Sequence, residues 1–197
     1  MDTNRHSDPF TGQELDLYRI KDLFKINTFF EVLEELNPRY NHWRFGKREK
    51  GREELAGRGG LFKYDNEEAD VYSLGSNLKL IDAGLLCKLR VEKILKRRIE
   101  LVRVNTNVQF PGQEAGFHTD GNDKSWTLLA FMQSDWNTQW GGDFICQTEN
   151  QDYIGIPYLP NHGVLFRGSM LHRGSAPNTL CPTFRLSVAF TYQEYGN

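Results

Sequence analysis

Three residues in the second half of the chain have side chains that could hold a metal ion together. His118 and Asp120 stand two positions apart, and His172 follows later in the segment SMLHRG. Positions i and i+2 of a strand face the same side, so a strand here would present the imidazole and the carboxylate together. Two histidines and one carboxylate that leave coordination positions open suit a non-haem iron centre. We therefore predict that His118, Asp120 and His172 are metal ligands.

The His-x-Asp spacing is weak evidence by itself, because the chain contains it twice. The other pair, His6 and Asp8, lies in a polar N-terminal segment without a strand pattern or a buried partner, and we interpret it as coincidental. His118 and Asp120 instead follow an alternating segment and a Pro-Gly turn, and the polar turn Gly-Asn-Asp comes directly after them.

A basic residue near the C-terminus is a candidate anchor for an anionic co-substrate. Arg185 lies in FRLSVAFTY, and Ser187 follows it on the same strand face. A guanidinium binds a carboxylate through two charge-assisted hydrogen bonds, and a serine hydroxyl can donate a third. Since the segment contains no carboxylate, we predict that a dicarboxylate ligand pairs with Arg185; the alternative is an exposed strand arginine. Arg173, beside His172, is expected to face the opposite side and to be structural.

The second half of the chain reads as a series of short strands. One face of LVRVNTNVQF is predicted to carry Val102, Val104, Val108 and Phe110, and the other face Arg103, Asn105, Asn107 and Gln109. Turn residues separate seven further β-rich segments: GFHT, WTLLAFMQ, GDFICQ, DYIGIP, GVLFRG, MLHRG and FRLSVAFTY.

The first hundred residues show helical patterns instead. A capping box of Thr28 and Glu31 is expected to begin one helix, which Asn37-Pro38 should end. A second helix is predicted from about Asp82 to Arg98, and its apolar face would carry Leu85, Leu86, Leu89 and Leu95. The charged, glycine-rich segment 44–60 between them is expected to be a solvated mobile loop or a cover for the substrate.

Helices followed by many short strands predict an α+β fold with an antiparallel jelly-roll core. The length of 197 residues favours one domain, with a helical support and mobile loop over 1–100 and the catalytic core over 101–193. A net charge of −2 offers no electrostatic case for binding nucleic acid or an anionic membrane. The N-terminus has no apolar signal region, and the three widely spaced cysteines are expected to be reduced and buried, which together favour a cytoplasmic location.

Four segments together resemble the prolyl-4-hydroxylase-like branch of the iron(II)/2-oxoglutarate dioxygenases: NVQFPGQEAGFHTD, WNTQWGGDF, IPYLPNHGVLFRGSMLHRGSAPN and FRLSVAF. The resemblance covers about residues 100–193. It implies a double-stranded β-helix in which His118, Asp120 and His172 bind Fe(II). It also implies that 2-oxoglutarate chelates the iron and reaches Arg185 with its distal carboxylate, and that O2 is the second co-substrate.

The resemblance further implies which side chains contact the co-substrate. Gln109 stands just before the Pro-Gly turn, where the family often has a tyrosine, and Asn107 lies two residues earlier on the same face. The alternative is that this polar face points outward. Phe131 occupies another position where the family often offers a tyrosine hydroxyl, so Thr127 or Ser187 is expected to compensate.

The implied reaction is hydroxylation of an unactivated C–H bond, coupled to decarboxylation of 2-oxoglutarate to succinate. The expected substrate is a prolyl or other residue of a protein or peptide, and segments 111–117, 121–125 and 44–60 are candidate lids. A small-molecule hydroxylase, acting on an amino acid or a sugar-linked metabolite, and a non-catalytic cupin-like metal-binding module remain alternatives. A nucleic-acid demethylase is disfavoured, because that subfamily has a second arginine where this chain has Thr191.

Overall fold

The computed structural model describes residues 2–9, 11–36, 44–45, 61–62 and 78–195. The helices are α1 (Ile26–Glu35) and α2 (Leu78–Leu95), and a short 3-10 helix spans Thr138–Trp140. The strands are β1 (Thr3–Ser7), β2 (Glu14–Ile20), β3 (Arg44–Phe45), β4 (Leu61–Phe62), β5 (Ile99–Gln109), β6 (Ser125–Phe131), β7 (Phe144–Gln147), β8 (Tyr153–Ile156), β9 (Gly163–Arg167), β10 (His172–Gly174) and β11 (Arg185–Glu194).

The strands form two sheets. The large sheet has the order β1-β2-β9-β6-β11-β5-β4-β3, and the small sheet has the order β10-β7-β8. Every pairing of named strands is antiparallel. The predicted α+β class with a predominantly antiparallel sheet is therefore confirmed.

Two apolar cores lie on opposite faces of the large sheet. One core joins α1 and α2 to the sheet through residues such as Val91, Leu101 and Phe190. The other joins the large sheet to the small sheet and includes Phe131, Phe144, Phe166 and Tyr158. The inner face of the large sheet, which faces the small sheet, is the face that carries Arg185.

The alternation predicted for β5 is correct from Arg103 onward and wrong before it. Thr191 of β11 pairs with Arg103 and Tyr192 pairs with Leu101, so Val102 forms a bulge between them. A bulge inserts one residue and reverses the facing of the side chains that precede it. Leu101 is therefore buried in the helix-side core, whereas Val102 is 39 % exposed.

The N-terminal half departs from the prediction in its strands. β1 and β2 pair with each other, and β2 pairs with β9, so the N-terminal segment extends the large sheet. His6 lies in β1, and Asp8 is buried and accepts a hydrogen bond from the Thr11 N–H. The prediction of a patternless tail was thus wrong, because alternating polar residues can form a strand that pairs with an existing sheet.

Both helices are shifted relative to the sequence prediction. α1 begins after Lys25 without a side-chain cap, so the capping box at Thr28 is wrong. α2 begins and ends about one turn earlier than predicted, and its exposed surface carries Leu86 (59 % exposed) and Leu89 (65 % exposed). Its buried face carries Leu80, Ile81, Ala83, Cys87 and Val91, and the predicted Leu85 and Leu95 pack against the same core while partly buried.

One predicted strand does not form, and two predictions fall on residues that the structure does not describe. GFHT forms no named strand, only an isolated bridge between His118 and His172. Segment 44–60 and the helix stop at Asn37-Pro38 lie outside the described residues, apart from 44–45 in β3. Across the described part of the chain, no helix combines the length and the apolar character needed to cross a membrane.

The prediction for the cysteines is confirmed, because Cys87, Cys146 and Cys181 are all free and buried. Burial raises the pKa of the Cys87 thiol to about 12 and that of Cys146 to about 11. These thiols therefore pack as small apolar groups and remain protonated at neutral pH.

Candidate metal centre and co-substrate pocket

The backbone brings the three predicted metal ligands together. The His118 N–H donates to the His172 carbonyl at 2.9 Å, and the His172 N–H returns the bond at 2.9 Å. The Asp120 N–H donates to the Gly168 carbonyl at 2.9 Å, which holds the end of the His-Thr-Asp segment beside the loop before β10. These bonds connect two segments that are distant in sequence, so the position of each ligand is set by the other.

Both imidazoles turn the same nitrogen toward the carboxylate. His118 Nδ1 lies 3.0 Å from the Gly116 carbonyl, and His172 Nδ1 lies 2.9 Å from the Met170 carbonyl. A carbonyl only accepts hydrogen bonds, so each Nδ1 is assigned the proton and each Nε2 keeps a lone pair. Backbone contacts of this kind fix the orientation of histidine ligands in metal sites.

The distances suit a shared ion. His118 Nε2 lies 3.7 Å from Asp120 Oδ1, and His172 Nε2 lies 3.7 Å from Asp120 Oδ2. Two ligand atoms that are each about 2.1 Å from one ion can be at most about 4.2 Å apart. One ligand atom from each of the three residues falls within a 4.8 Å cluster, and no other such cluster occurs among the described residues.

Burial favours the neutral imidazole that a metal requires. Burial lowers the pKa of His172, and this effect outweighs the opposing charge of Asp120. The ring packs against Phe166 at 4.4 Å and Phe144 at 5.4 Å between ring centroids. One side of the site is therefore apolar, which limits access of water to the ligands.

Arg185 lies in the same interior, 2 % exposed. Its Nε donates to the Gly142 carbonyl at 2.8 Å, and its Nη1 donates to Gln109 Oε1 at 3.0 Å and to Ser187 Oγ at 3.2 Å. Its Nη2 is buried and has no hydrogen-bond partner. Burial lowers the pKa of Arg185 to about 10, so the guanidinium remains charged at neutral pH.

Some of the residues predicted to surround Arg185 lie near it, and one does not. Gln109 pairs with Arg185 in register and contacts it directly, so its side chain faces the interior and not outward. Asn107 lies on the same face of β5, opposite Ser187. Thr127 lies farther along the sheet, opposite Thr191, and is no neighbour of Arg185 in the register.

Sequence reasoning missed two glycines that shape this pocket. A Cβ on Gly142 would lie 2.8 Å from the Trp136 ring, and a Cβ on Gly174 would lie 3.1 to 3.2 Å from the Arg185 guanidinium. Gly142 also has a φ of +79°, which favours glycine. The Gly-Gly pair belongs to the segment WNTQWGGDF of the family resemblance, and the Gly142 carbonyl accepts from Arg185. Gly174 stands two residues after His172 and so places the guanidinium close to the third ligand.

Aromatic rings complete the surroundings of the guanidinium. The Arg185 Cζ lies 5.6 Å from the Phe131 ring and 5.4 Å from the Tyr158 ring. The Tyr158 hydroxyl donates to the Leu186 carbonyl and accepts from the Gln133 N–H at 2.7 Å. Its hydrogen-bonding capacity is used by the backbone, and sequence reasoning had no local signal for this residue.

Arg173 has the orientation expected for a structural residue. Its Cζ lies 5.0 Å from the Phe117 ring, and its Nη1 lies 3.9 Å from Glu114 Oε2. Both contacts are on the side opposite to His172, because adjacent residues of β10 face opposite sides.

No protein-family model matches this chain, and no curated protein matches its sequence significantly. Solved structures do match. A prolyl hydroxylase from Trichoplax adhaerens, in complex with a hypoxia inducible factor peptide fragment, has a TM-score of 0.67 and 15 % identity, with 91 % of this chain and 84 % of that chain covered. The non-haem α-ketoglutarate-dependent epimerase SnoN from nogalamycin biosynthesis has a TM-score of 0.67 and 12 % identity, with 90 % and 77 % covered.

A third match is HygX from Streptomyces hygroscopicus, whose structure holds nickel, 2-oxoglutarate and hygromycin B. Its TM-score is 0.67 at 9 % identity, with 91 % of this chain and 83 % of that chain covered. SnoN has also been solved with Fe3+, α-ketoglutarate and nogalamycin RO. These structures hold a peptide fragment or small molecules, and they share one architecture with this protein. The chain therefore has the fold of the 2-oxoglutarate-dependent iron oxygenases.

Proposed function

We propose that this protein is an Fe(II)- and 2-oxoglutarate-dependent oxygenase whose metal ligands are His118, Asp120 and His172. The observation that carries the proposal is the buried Arg185 guanidinium, whose Nη2 has no partner and which lies against the strand that bears His172. A buried charge without an anionic partner is strongly unfavourable. No carboxylate of a described residue lies within ion-pair distance of it. The charge of Asp143 raises the pKa of Arg185 from beyond that distance, so a carboxylate ligand in direct contact is its natural partner.

The residues fit both the metal and the co-substrate. The two Nε2 lone pairs and the Asp120 carboxylate form a donor set suited to a first-row metal. Arg185 and Ser187 would bind the distal carboxylate of 2-oxoglutarate, and Gln109 would hold the guanidinium in place. When bound, iron(II) and 2-oxoglutarate would supply the oxidising chemistry with O2, releasing succinate and carbon dioxide as a C–H bond is hydroxylated.

We propose further that the described part of the chain and its remaining segments form one domain, 1–197. Its core over 101–193 would be a double-stranded β-helix, and the large and small sheets that share an apolar core support this assignment. Both α1 and α2 pack on the outer face of the large sheet, where they support it.

The proposed substrate is a prolyl or other residue of a protein or peptide. The sequence resemblance to prolyl 4-hydroxylases supports this, as does the structural match to a prolyl hydroxylase in complex with a peptide. A small-molecule hydroxylase is the second candidate, and the equal TM-scores of SnoN and HygX favour it. A non-catalytic cupin-like metal module is the third, and the unpartnered guanidinium argues against it because such a module needs no dicarboxylate.

The decisive test is a screen for substrate-stimulated succinate production. Proline-containing peptides, free amino acids and sugar-linked metabolites are supplied with Fe(II), 2-oxoglutarate and O2, and His172→Ala serves as the inactive control. Stimulation by peptides alone would support the first candidate, and stimulation by metabolites alone the second. Absence of 2-oxoglutarate binding in the metal-loaded wild type would exclude both.

A further inference from the structure

A row of polar side chains crosses the inner face of the large sheet near the metal ligands. Thr191 of β11 pairs in register with Arg103 of β5 on one side and with Thr127 of β6 on the other. Thr127 in turn pairs with Phe166 of β9. The register of β11 is uninterrupted from Arg185 to Thr191, so these side chains share the face of the co-substrate anchor.

The two ends of this row contact two of the proposed metal ligands. At one end, the His172 ring lies 4.4 Å from the Phe166 ring. At the other end, Arg103 Nη2 lies 3.5 Å from the Asp120 carbonyl oxygen and 4.0 Å from Asp120 Oδ1. The two threonines occupy the register positions between these ends.

Three polar atoms of the row lack partners. Thr127 is 1 % exposed and Thr191 is 5 % exposed, and the Oγ1 of each is buried without a hydrogen bond. The Nε of Arg103 is also buried without a partner. Buried hydroxyls and N–H groups are nearly always satisfied in native structures, and the exceptions require an explanation. Two hydroxyls and one guanidinium offer donors to the same region, which suits an anionic oxygen.

We propose that Arg103, Thr127 and Thr191 form a second carboxylate-binding subsite beside the metal ligands, separate from the one at Arg185. The proposal rests on the proposed function, since it takes the His-Asp-His group to hold a metal. Arg103 also holds Asp120, so it is a positioning residue for the metal ligand as well as a donor. The occupant is a carboxylate that belongs either to the metal-chelating end of 2-oxoglutarate or to the primary substrate.

The test uses the double variant Thr127→Val/Thr191→Val, because valine has nearly the same shape and lacks only the hydroxyl. Thr148→Val is the matched control: Thr148 is also buried with an unpartnered hydroxyl, but it lies in the turn after β7. In the absence of ligand, the double variant should unfold at a temperature no lower than wild type, since it removes unsatisfied polar atoms. Arg103→Gln serves as a second variant should the double variant fail to fold.

Two binding measurements on the full chain distinguish the sources of the carboxylate. In the first, 2-oxoglutarate is titrated calorimetrically into the Mn(II)-loaded protein under argon. In the second, acetate is titrated into the Mn(II)–2-oxoglutarate complex and followed by the electron paramagnetic resonance of Mn(II). Loss of hydrogen bonds to a charged group should weaken the affected ligand by roughly tenfold to a hundredfold.

A loss confined to 2-oxoglutarate would assign the subsite to the co-substrate, and a loss confined to acetate would assign it to the primary substrate. If both affinities stay within twofold of wild type in the double variant and in Arg103→Gln, the subsite does not exist. Failure of wild type to bind 2-oxoglutarate would instead overturn the proposed function. Acetate would then be titrated into the Mn(II)-loaded protein alone, which still tests the subsite.

Discussion

At the scale of single residues, the proposed co-substrate site depends on one positive charge, Arg185, which the fold buries without a carboxylate of a described residue at ion-pair distance. The guanidinium of Arg185 is held on three sides by neutral acceptors, namely the Gly142 carbonyl, Gln109 and Ser187. Neutral acceptors orient the cation but do not neutralise it. A buried cation of this kind favours a ligand that brings negative charge.

Replacing Arg185 with leucine should separate co-substrate binding from metal binding. The change removes two charge-assisted hydrogen bonds of about 1.5–3 kcal/mol each, partly replaced by Ser187 and water. The affinity for 2-oxoglutarate should fall by roughly two to four orders of magnitude. Calorimetry of 2-oxoglutarate with the Mn(II)-loaded variant under argon measures this, and Mn(II) affinity should change little.

Arg173→Leu is the matched control for that variant, because Arg173 lies on the opposite face against Phe117. It should retain the wild-type affinity for 2-oxoglutarate. An Arg185→Leu variant whose affinity remains within threefold of wild type would show that Arg185 is not the anchor.

Removing His172, the third proposed metal ligand, should abolish turnover while leaving the fold intact. His172→Ala deletes one of two imidazoles whose Nε2 atoms face Asp120. Succinate production should fall below detection, and the circular dichroism spectrum should remain that of wild type. His6→Ala, at the other His-x-Asp pair, should keep wild-type turnover; a large loss there would mean that the wrong pair was assigned.

At the scale of elements, a single asparagine joins the β8–β9 turn to the start of α1. Asn161 Oδ1 accepts from the Phe24 N–H at 2.9 Å, and its Nδ2 donates to the Phe24 carbonyl at 2.9 Å. The Leu23 N–H donates to the Asn161 carbonyl at 2.8 Å. Asn161 itself has a φ of 57°, in the left-handed region that asparagine tolerates better than most residues. The turn thereby fixes where α1 leaves the sheet.

Asn161→Ala should lower the free energy of unfolding by about 2–5 kcal/mol. Two hydrogen bonds of about 0.5–1.5 kcal/mol are lost, and alanine adds about 1–2 kcal/mol of strain at this φ. Thermal and urea unfolding measure the change. Asn161→Gly loses the same hydrogen bonds without the strain, so it should be less destabilised than the alanine variant. Equal stability of Asn161→Ala and wild type would contradict the bridging role.

At the scale of the whole molecule, an ion-pair network ties distant parts of the chain to one end of the large sheet. Glu194 of β11 accepts hydrogen bonds from Trp126 Nε1 at 2.7 Å, Arg167 Nη1 at 2.9 Å and Arg97 Nη1 at 2.8 Å. Arg167 also binds Asp16 of β2 at 2.6 Å and stacks over the Trp126 ring at 4.0 Å. The network therefore links the N-terminal strands, the β9–β6 pair and the C-terminal strand.

This network should make the free energy of unfolding depend on pH in the acidic range. Burial raises the pKa of Glu194, but the hydrogen bonds from Trp126 and Arg97 outweigh it, so the pKa lies below its ordinary value. The folded state then binds fewer protons than the unfolded state. The carboxylate stabilises the fold fully above its unfolded pKa of about 4.3, and this stabilisation is lost as the pH falls through the lowered folded pKa.

Glu194→Gln should lower the free energy of unfolding at pH 7 by about 1–3 kcal/mol. The difference from wild type should shrink as the pH falls below about 4, where the wild-type carboxyl becomes protonated. Thermal melts at pH 7, 5 and 3.5 measure this trend. Glu149→Gln, in an exposed turn, is the control and should match wild type at every pH. A difference that stays constant across this range would show that the charge of Glu194 is not responsible.

Several features of the site follow from local sequence alone. The Arg-x-Ser spacing and the alternation of β5 beyond Arg103 depend only on which side of a strand each residue faces, whereas His118 and Asp120 lie outside the named strands. The period of two settles this without knowledge of the partner strand. For this reason the polar residues that lie around Arg185 could be named from the sequence. The antiparallel α+β class and the buried, free cysteines could be predicted as well.

The tertiary structure decided the features that depend on which strands and helices pack together. The bulge at Val102 exists only because β11 pairs with β5 in a particular register, and the polar strand β1 forms only because the paired strand β2 extends an existing sheet. Leu86 and Leu89 are apolar but exposed, since packing against the sheet selected the other face of α2. The row of Arg103, Thr127 and Thr191 likewise joins three strands far apart in sequence. Local periodicity sets the direction of a side chain, whereas its neighbours are set by strand pairing over long sequence separations.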